Sequence, residues 1–560
     1  MAAGRPATVP PSSLQAERPS AARRTGLLAV SSWVVALTVA APLSAAYLVL
    51  APPSGDLAAA TYRSALFTRA GFVLWDNSWY GGHYLPGYSL LAPALGALLG
   101  TRLLLALCAI ASAGLFSVLA QRAFPRAGAR AASVSFALGV GVGLLSGRVA
   151  YGLGLAVGML ALLALIYAPP AVALALAALT TLASPVAGAF LALAGLAYAL
   201  ASILPSVRDG GARGGRHQGA RACRRGLALA AAALLPALGM TLAFPEGGWQ
   251  PFAPGMFWPV LAGVVLTALA LPRFGGTLAA GIRQPLTWGA WLYALALVGA
   301  FALHTPVGDN AVRLGALLGA PLAVGALWQR RRLVLALLAP ALLYWQLEAS
   351  ISDVAALAGT PSVTAAYYSP LVAELQRLAH DKPLRLEVPP TEGHWESVYL
   401  PEDPLILLAR GWERQLDTRY NALFYRPGLS ASAYRSWLSQ NAVSYVALPD
   451  VRLDVAGVQE GRLIRHGLPC LTEVWRSAEW RVFAVRGSTP LAQPPAVLTG
   501  VGADSFTLRA PRPGAFTVRV RFTPYWTLLG GRGSVHRATG GWTEVDTRRA
   551  GVIRVGIEFA

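Results

Sequence analysis

Two acids and a histidine stand in one polar stretch beside a long apolar run. The stretch begins Ser54-Gly55-Asp56-Leu57 and continues, after an amphipathic run, as Trp75-Asp76-Asn77-Ser78-Trp79-Tyr80-Gly81-Gly82-His83. Charged groups beside hydrocarbon are costly and are seldom kept there without a task. A carboxylate at Asp56 suits a general base acting on a hydroxyl, or a ligand to a divalent cation. It equally suits the N-cap of a helix over 57–70, where it satisfies free amides. Asp76 is the second candidate acid. Trp75, Trp79 and Tyr80 suit stacking on a sugar face or an interfacial aromatic belt. His83 fits a proton carrier as well as a plain hydrogen-bonding role, and Gly81-Gly82 permits a tight turn.

Arginines supply the complementary charge. Arg148 lies in Gly147-Arg148-Val149-Ala150-Tyr151, between two apolar segments, and Arg313 closes a polar stretch that also holds Asp309 and Asn310. Arg63 and Arg69 lie on the amphipathic run after Asp56. A guanidinium fork matches phosphate oxygens, so Arg148 and Arg313 are candidate binders of a lipid phosphate, with Asn310 beside them. The plain alternative is pairing with a nearby acid, and it weighs more for Arg63 and Arg69. Gly393-His394-Trp395-Glu396 and 410–417 (Arg-Gly-Trp-Glu-Arg-Gln-Leu-Asp) are read first as buried ion pairs and packing, second as a substrate-facing surface. The sequence has no HExxH, Walker loop, nucleophile elbow or CxxC pair, so zinc-protease, ATPase and serine-hydrolase readings lack support.

The elements that position these residues follow from hydropathy. The chain has 560 residues, 55% hydrophobic and 13% charged, with a mean hydropathy of +0.51. This is the composition of a polytopic membrane protein. Its net charge of +20 is not a nucleic-acid footprint, because many arginines fall in short loops between apolar runs, where they set topology. Residues 1–25 read as a disordered cytoplasmic tail. Apolar runs predict about eleven spans, near 26–51, 102–120, 131–147, 149–168, 170–183, 185–204, 227–244, 257–272, 286–303, 314–328 and 333–350. The stretch 85–100 carries Pro86 and Pro93 and is expected to be re-entrant or interfacial. Basic clusters at 122–130, in the loop 205–226, at Arg273 and Arg283, and at 330–332 place those loops in the cytoplasm. The N-terminus is then inside, and the loop 52–84 and the C-terminus outside. The glycines at 139, 141, 143 and 147 follow no strand and read as small-residue helix packing. Cys108, Cys223 and Cys470 cannot meet on this topology, so no disulfide is expected.

Residues 26–351 thus form a helical transmembrane domain. From 352 to 487 the pattern is that of an extracytoplasmic α/β domain, with strands at 384–388 and 443–448, a helical spacing over 368–380, and a helix over 430–441 capped by Ser430. Residues 488–560 alternate as strands between Gly and Pro turns, a small β-sandwich-like module.

The first span, Gly55-Asp56, an amphipathic helix, Leu74-Trp75-Asp76, Trp79-Tyr80-Gly81-Gly82 and the Pro-bearing apolar segment together resemble the GT-C superfamily of membrane glycosyltransferases. More narrowly, with Ala183-Ser184-Pro185-Val186-Ala187-Gly188, they are similar to bacterial membrane proteins grouped as 6-pyruvoyl-tetrahydropterin-synthase-related. The resemblance covers mainly residues 27–350. It implies an enzyme of the plasma membrane that moves a sugar, with inversion, from a polyprenyl-phosphate donor to a glycan, lipid or protein acceptor of the cell envelope on the outer face. It also implies that the acid of the first outer loop is catalytic or metal-binding. Asp56 matches that place and Asp76 is second. A divalent cation, Mg2+ or Mn2+, would fall to Asp56, although the sequence lacks a tight Asp-x-Asp or Glu-x-Asp pair. Two other classes remain: a transporter or flippase for a lipid-linked glycan, and a non-catalytic cell-envelope assembly protein.

Overall fold

The structure, a computed structural model, describes residues 31–203, 214–274 and 278–558. The tail 1–25, the start of the first apolar run, and Arg208, Asp209 and Arg213 of the basic loop lie outside the described residues.

Thirteen helices build the first part of the described chain. They are α1 (Ser32–Leu50), α2 (Gly55–Ala70), α3 (Ala92–Leu99), α4 (Thr101–Ala123), α5 (Arg126–Gly143), α6 (Val149–Tyr167), α7 (Pro170–Ala183), α8 (Pro185–Ile203), α9 (Gly214–Ala243), α10 (Pro254–Phe274), α11 (Ala280–Ala302), α12 (Val312–Leu327) and α13 (Arg332–Leu357). Among the described residues ten helices are long and apolar enough to cross a membrane, and α7 is a shorter apolar helix. The stretch after Tyr84 forms only the eight-residue α3, as its prolines and length imply. Two boundaries differ from the sequence reading. The basic segment before 227 is already helical from Gly214, so α9 carries exposed Arg221, Arg224 and Arg225 on its first turns. The last span runs to Leu357 rather than 350, which carries Asp353 on a helix rather than into the following domain.

Small residues let these helices approach closely, the usual basis of helix association where lipid removes the hydrophobic drive. At the crossing of α8 and α9, a Cβ on Gly195 would lie 2.7 Å from the Gly226 carbonyl oxygen, and one on Gly226 2.5 Å from that of Gly195. Gly139 and Gly141 likewise face Gln346 and Leu43 with no room for a side chain. Gly147 has a different task, described below.

After α13 and α14 (Ala365–Ala379) comes a five-stranded mixed sheet of β3 (Leu384–Glu387), β4 (Ile406–Leu408), β5 (Tyr445–Pro449), β6 (Leu471–Arg476) and β7 (Trp480–Val485). Its order is β4-β3-β5-β7-β6. β3 is parallel to both neighbours, and β7 is antiparallel to β5 and β6. Helix Ala431–Gln440 is capped by Ser430, whose side chain accepts from the Ala433 amide at 3.2 Å. The remaining strands are β8 (Val497–Val501), β9 (Ser505–Ala510), β10 (Gly514–Arg521), β11 (Trp526–Gly530), β12 (Gly533–Arg537), β13 (Trp542–Thr547) and β14 (Gly551–Ile557). They form a three-stranded sheet β10-β13-β12 and a four-stranded sheet β11-β14-β9-β8 around a core of Phe506, Leu508, Phe516, Val518, Val545 and Val555. Alternating burial along β9 and β10 is the period-2 signature of strands with one face inward.

A two-residue-per-strand hairpin, β1 (Trp75–Asp76) and β2 (His83–Tyr84), joins all these layers. Its Ser78 carbonyl accepts from the Leu408 amide at 2.8 Å, the Asn77 amide donates to the Ala503 carbonyl at 2.9 Å, and the Gly81 carbonyl accepts from the Arg521 amide at 2.7 Å. One short loop thereby hydrogen-bonds to β4 of the mixed sheet, to the turn between β8 and β9 and to the end of β10.

Candidate functional site

Residues distant in sequence meet at one end of the helical bundle. α5 ends in a 3-10 turn, Leu144–Ser146, and Gly147 follows with φ +69°. That backbone favours glycine, and the space demands it: a Cβ would lie 2.1 Å from Ser54 Oγ and 2.8 Å from the Leu57 amide nitrogen. The turn therefore presses onto the start of α2 and delivers Arg148, which begins α6, against Asp56 in the first turn of α2. Arg148 Nε donates to Asp56 Oδ2 at 2.9 Å. Arg313, in the first turn of α12, brings a guanidinium nitrogen to 3.8 Å from the same oxygen. A second nitrogen of Arg148 lies 3.7 Å from Asp353 Oδ2 on α13, and Ser146 Oγ is 2.9 Å from Ser350 Oγ, tying the turn to that helix. Asp309, in the 3-10 turn Gly308–Ala311, adds a further carboxylate near Arg148. Asn310 is buried in the same turn, three residues before Arg313. These side chains stay partly accessible: 35% for Asp56, 28% for Arg148 and 21% for Arg313.

Below the arginines lies a cavity of about 110 Å³ between α4, α5, α6, α12 and α13. Leu105, Val140, Leu155 and Leu317 give it apolar walls, Arg148 and Arg313 stand in its lining, and Tyr151 sits 5.4 Å from the Arg313 guanidinium carbon. An anionic head with an apolar tail fits this polarity: each guanidinium offers five N–H donors, more than Asp56 takes.

Asp56 is not an N-cap. Ser54 holds that position, and the Asp56 carboxylate is engaged by arginine. The start of α2 is instead held from the α/β side, where Trp412 Nε1 donates to the Gly55 carbonyl at 2.8 Å. The Trp412 ring stacks on His394 at 3.5 Å, and His394 lies between Asp454 at 3.5 Å and Glu396 at 3.6 Å. Burial opposes its charged form, but the two facing carboxylates of Asp454 and Glu396 win and raise its pKa.

The other candidate residues are placed elsewhere. Asp76 is fully buried; Tyr62 donates to Oδ2 at 2.8 Å and the Ser78 amide to Oδ1 at 3.0 Å. Burial pushes its carboxyl above the ordinary range, against those two hydrogen bonds. It locks the hairpin and does not meet Asp56's cluster. Trp75, Trp79, Tyr80 and His83 are buried to 2% exposure or less, so they present no free face to a sugar, contrary to the expectation of a stacking platform. Trp79 is stacked between Tyr62 and His83, at 4.2 and 5.6 Å. Trp75 enters the C-terminal core against Trp526. The Tyr80 hydroxyl donates to the Glu413 carbonyl at 3.2 Å and accepts from its amide at 3.1 Å. Burial, helped by the Arg63 charge, lowers the His83 pKa to about 3, so its ring is neutral.

Arg63 is buried against Glu413, with its guanidinium carbon 4.0 Å from the Tyr88 ring centre; Arg69 is exposed. The 410–417 string is indeed an ion-pair cluster. Arg410 forks onto Asp417 at 2.6 and 3.0 Å and reaches Glu460 at 3.3 Å, while Arg414 forks onto Asp454 at 2.7 and 2.8 Å.

Among the described residues no group of three or more His, Cys, Asp and Glu is placed to share a metal ion. Asp56 Oδ2 already faces two guanidinium groups, which would repel a cation. The residues present therefore do not fit Mg2+ or Mn2+. Sequence reasoning missed Asp353, whose signal is an acid at the end of an apolar helix, and Glu246, whose signal is an acid between two spans beside Gly247-Gly248.

No protein-family model matches the chain, and no curated protein does. Solved structures similar over most of its length include the following two. One is the archaeal oligosaccharyltransferase AglB from Archaeoglobus fulgidus in complex with an inhibitory peptide and a dolichol-phosphate, with TM-score 0.39 and 13% identity over 74% of this chain and 69% of that one. The other is the oligosaccharyltransferase of the same organism in the apo form, with TM-score 0.39 and 13% identity over 76% of this chain and 70% of that one. Similarity of this degree fixes neither activity nor substrate.

Proposed function

We propose that this chain is a membrane glycosyltransferase that takes a sugar from a polyprenyl-phosphate donor. The observation that carries the reading is the meeting of Asp56, Arg148 and Arg313 over an apolar cavity within the helical bundle. Arg148 and Arg313 bind the donor phosphate, and the isoprenoid chain enters between α4, α5, α6, α12 and α13. The acceptor hydroxyl approaches from the α/β side. Asp56 accepts the hydroxyl proton as the new oxygen–C1 bond forms and the C1–phosphate-oxygen bond breaks, with inversion at C1. The electron pair leaves with the polyprenyl phosphate, whose growing charge the two guanidiniums stabilise, the type of electrostatic term that usually dominates such steps. Asp353 holds Arg148 in place from α13. No metal enters this scheme.

The arginine-rich loops support an orientation with the N-terminus cytoplasmic and the Asp56 site and C-terminal domains outside the plasma membrane. A glycan, lipid or protein of the cell envelope is then the acceptor. The test is transfer of labelled sugar from a short polyprenyl-phosphate sugar by the reconstituted protein. Asp56→Asn and Arg313→Ala each abolish it on this reading; unchanged transfer in both variants overturns it.

A further inference from the structure

A second polar cleft adjoins the hairpin, whose Tyr80 and Gly81 carbonyls accept from its lining residue Arg521. It opens between helix Ala431–Gln440, the short helix Arg414–Tyr420 and the three-stranded sheet, with a volume of about 600 Å³. Arg419 and Tyr420 line one wall, and Arg519, Arg521, Trp542 and Glu544 the other.

The charge of this cleft is unbalanced. Three guanidinium carbons stand within 6 Å of the Trp542 ring centre: Arg521 at 4.9 Å, Arg519 at 5.6 Å and Arg385 at 5.7 Å. Arg521 also lies 3.6 Å over Tyr420. Arg385 is 1% exposed; it donates to the carbonyls of Asn441 and Arg519, and its Nε has no hydrogen-bond partner among the described residues. None of Arg385, Arg519 and Arg521 has a described carboxylate within 4 Å. Two acids face the group: Glu544 in the wall, and Glu246, which acts on Arg521 at longer range and which burial keeps largely uncharged near neutrality. Cation–π contact offsets part of the repulsion among these arginines. An oxyanion would offset more. Gly81 makes the arrangement possible: its φ is +75°, and a Cβ there would lie 2.9 Å from the Trp542 ring and 3.3 Å from Arg385.

We propose that this cleft binds an acidic saccharide, a sugar carrying carboxylate or sulfate groups. Its volume is that of a small-ligand site. Guanidinium forks match oxyanions, and Gln440, Thr517 and Thr539 in the lining can hydrogen-bond sugar hydroxyls, while the buried Trp542 ring serves to hold the arginines. A bare anion would leave most of that volume and the hydroxyl and amide groups of the lining unused. The remaining lining includes Gln440, Thr517 and Thr539, which offer nothing to an acyl chain, so a lipid headgroup is the poorer occupant. The proposal does not depend on the transferase reading of the Asp56 site.

The test is calorimetric binding to the full-length protein in neutral detergent. The probes are trigalacturonate, a sulfated heparin-type tetrasaccharide, neutral maltotriose, inorganic phosphate and phosphatidylglycerol vesicles. At least one acidic saccharide binds at least about tenfold more tightly than maltotriose and phosphate, and weakens between about 50 and 500 mM salt. Arg519→Glu and, separately, Arg419→Gln lower that affinity, with Arg519→Glu at least about tenfold down and thermal unfolding within a few degrees of wild type. Arg419 is exposed, so its variant stands even where Arg519→Glu fails to fold. Binding of neither acidic probe, equal binding of phosphate, unchanged affinity in both variants, or displacement of the saccharide by the vesicles overturns the proposal.

Discussion

Glu246 links the loop after α9 to the hairpin, and replacing it by Gln changes how stability depends on pH. Its Oε1 accepts from the Tyr84 amide, while Oε2 is buried with no described partner. Burial pushes its pKa up to about 8 from the ordinary 4.5. The sign follows. Below pH 4.5 the carboxyl is protonated both folded and unfolded, and its contribution is fully present. Between 4.5 and about 8 the unfolded chain loses this proton and the folded chain keeps it. The unfolded state then binds fewer protons, so stability falls as pH rises, by about 1.4 kcal/mol per unit. From pH 5 to pH 8 the loss attributable to this one group is on the order of 4 kcal/mol. Glu246→Gln keeps the shape and cannot ionise. Glu460, raised to about 7, titrates in the same window, so the quantity to follow is the difference between variant and wild type. Thermal unfolding in detergent is measured at pH 5, 6, 7 and 8. The midpoint of Glu246→Gln gains on wild type steadily across that range, by several degrees in all. A constant difference refutes the reasoning and means that Glu246 is ionised in the folded protein.

Three further outcomes are expected. Arg63→Ala leaves the half-buried Glu413 unpaired and lowers stability by roughly 2–4 kcal/mol; adding Glu413→Leu recovers most of it, as read by thermal unfolding. Gly82→Ala forces a side chain at φ +122° to within 2.5 Å of the Trp75 ring, costing about 2 kcal/mol or more, with faster hydrogen exchange in residues 75–84. Trp79→Phe lowers the unfolding midpoint and leaves donor and acceptor KM unchanged, because that ring is a packing element; a change in KM without a change in stability would contradict the burial.

How much of this was legible in the sequence depended on the range of the interactions involved. The spans were legible because each needs only a local run of apolar residues, and α3 stood out as short for the same reason, whereas 170–183, counted as a span, forms the shorter helix α7. β10 showed its alternation, and β5 its short apolar run. Arg148 and Arg313 drew attention because a charge at membrane depth is expensive wherever it lies. That both reach one oxygen of Asp56 was not legible, since it depends on Gly147 pressing onto α2 and on α12 closing from far along the chain. The aromatic loop was misread for a related reason. Trp75, Trp79, Tyr80 and His83 have the composition of a sugar platform, but composition cannot tell a free ring from one sealed by residues hundreds of positions away, such as Leu408, Ala503 and Arg521. Asp76 shows the same effect: its type suggested chemistry, and its burial beside Tyr62 gives it a structural bond instead. Arg385 gave no signal at all, because β3 is buried along its whole length and its guanidinium meets carbonyls of Asn441 and Arg519, which lie far along the chain.

The most direct test of the central claim is the affinity of the wild-type protein and of Arg148→Ala with Arg313→Ala for a short-chain polyprenyl phosphate, measured in nanodiscs. The account predicts that the doubly substituted protein binds at least about a hundredfold more weakly, since each charge-assisted contact contributes roughly 1.5–3 kcal/mol, while it remains folded. Equal affinity in the two proteins would contradict a phosphate site at Asp56, Arg148 and Arg313.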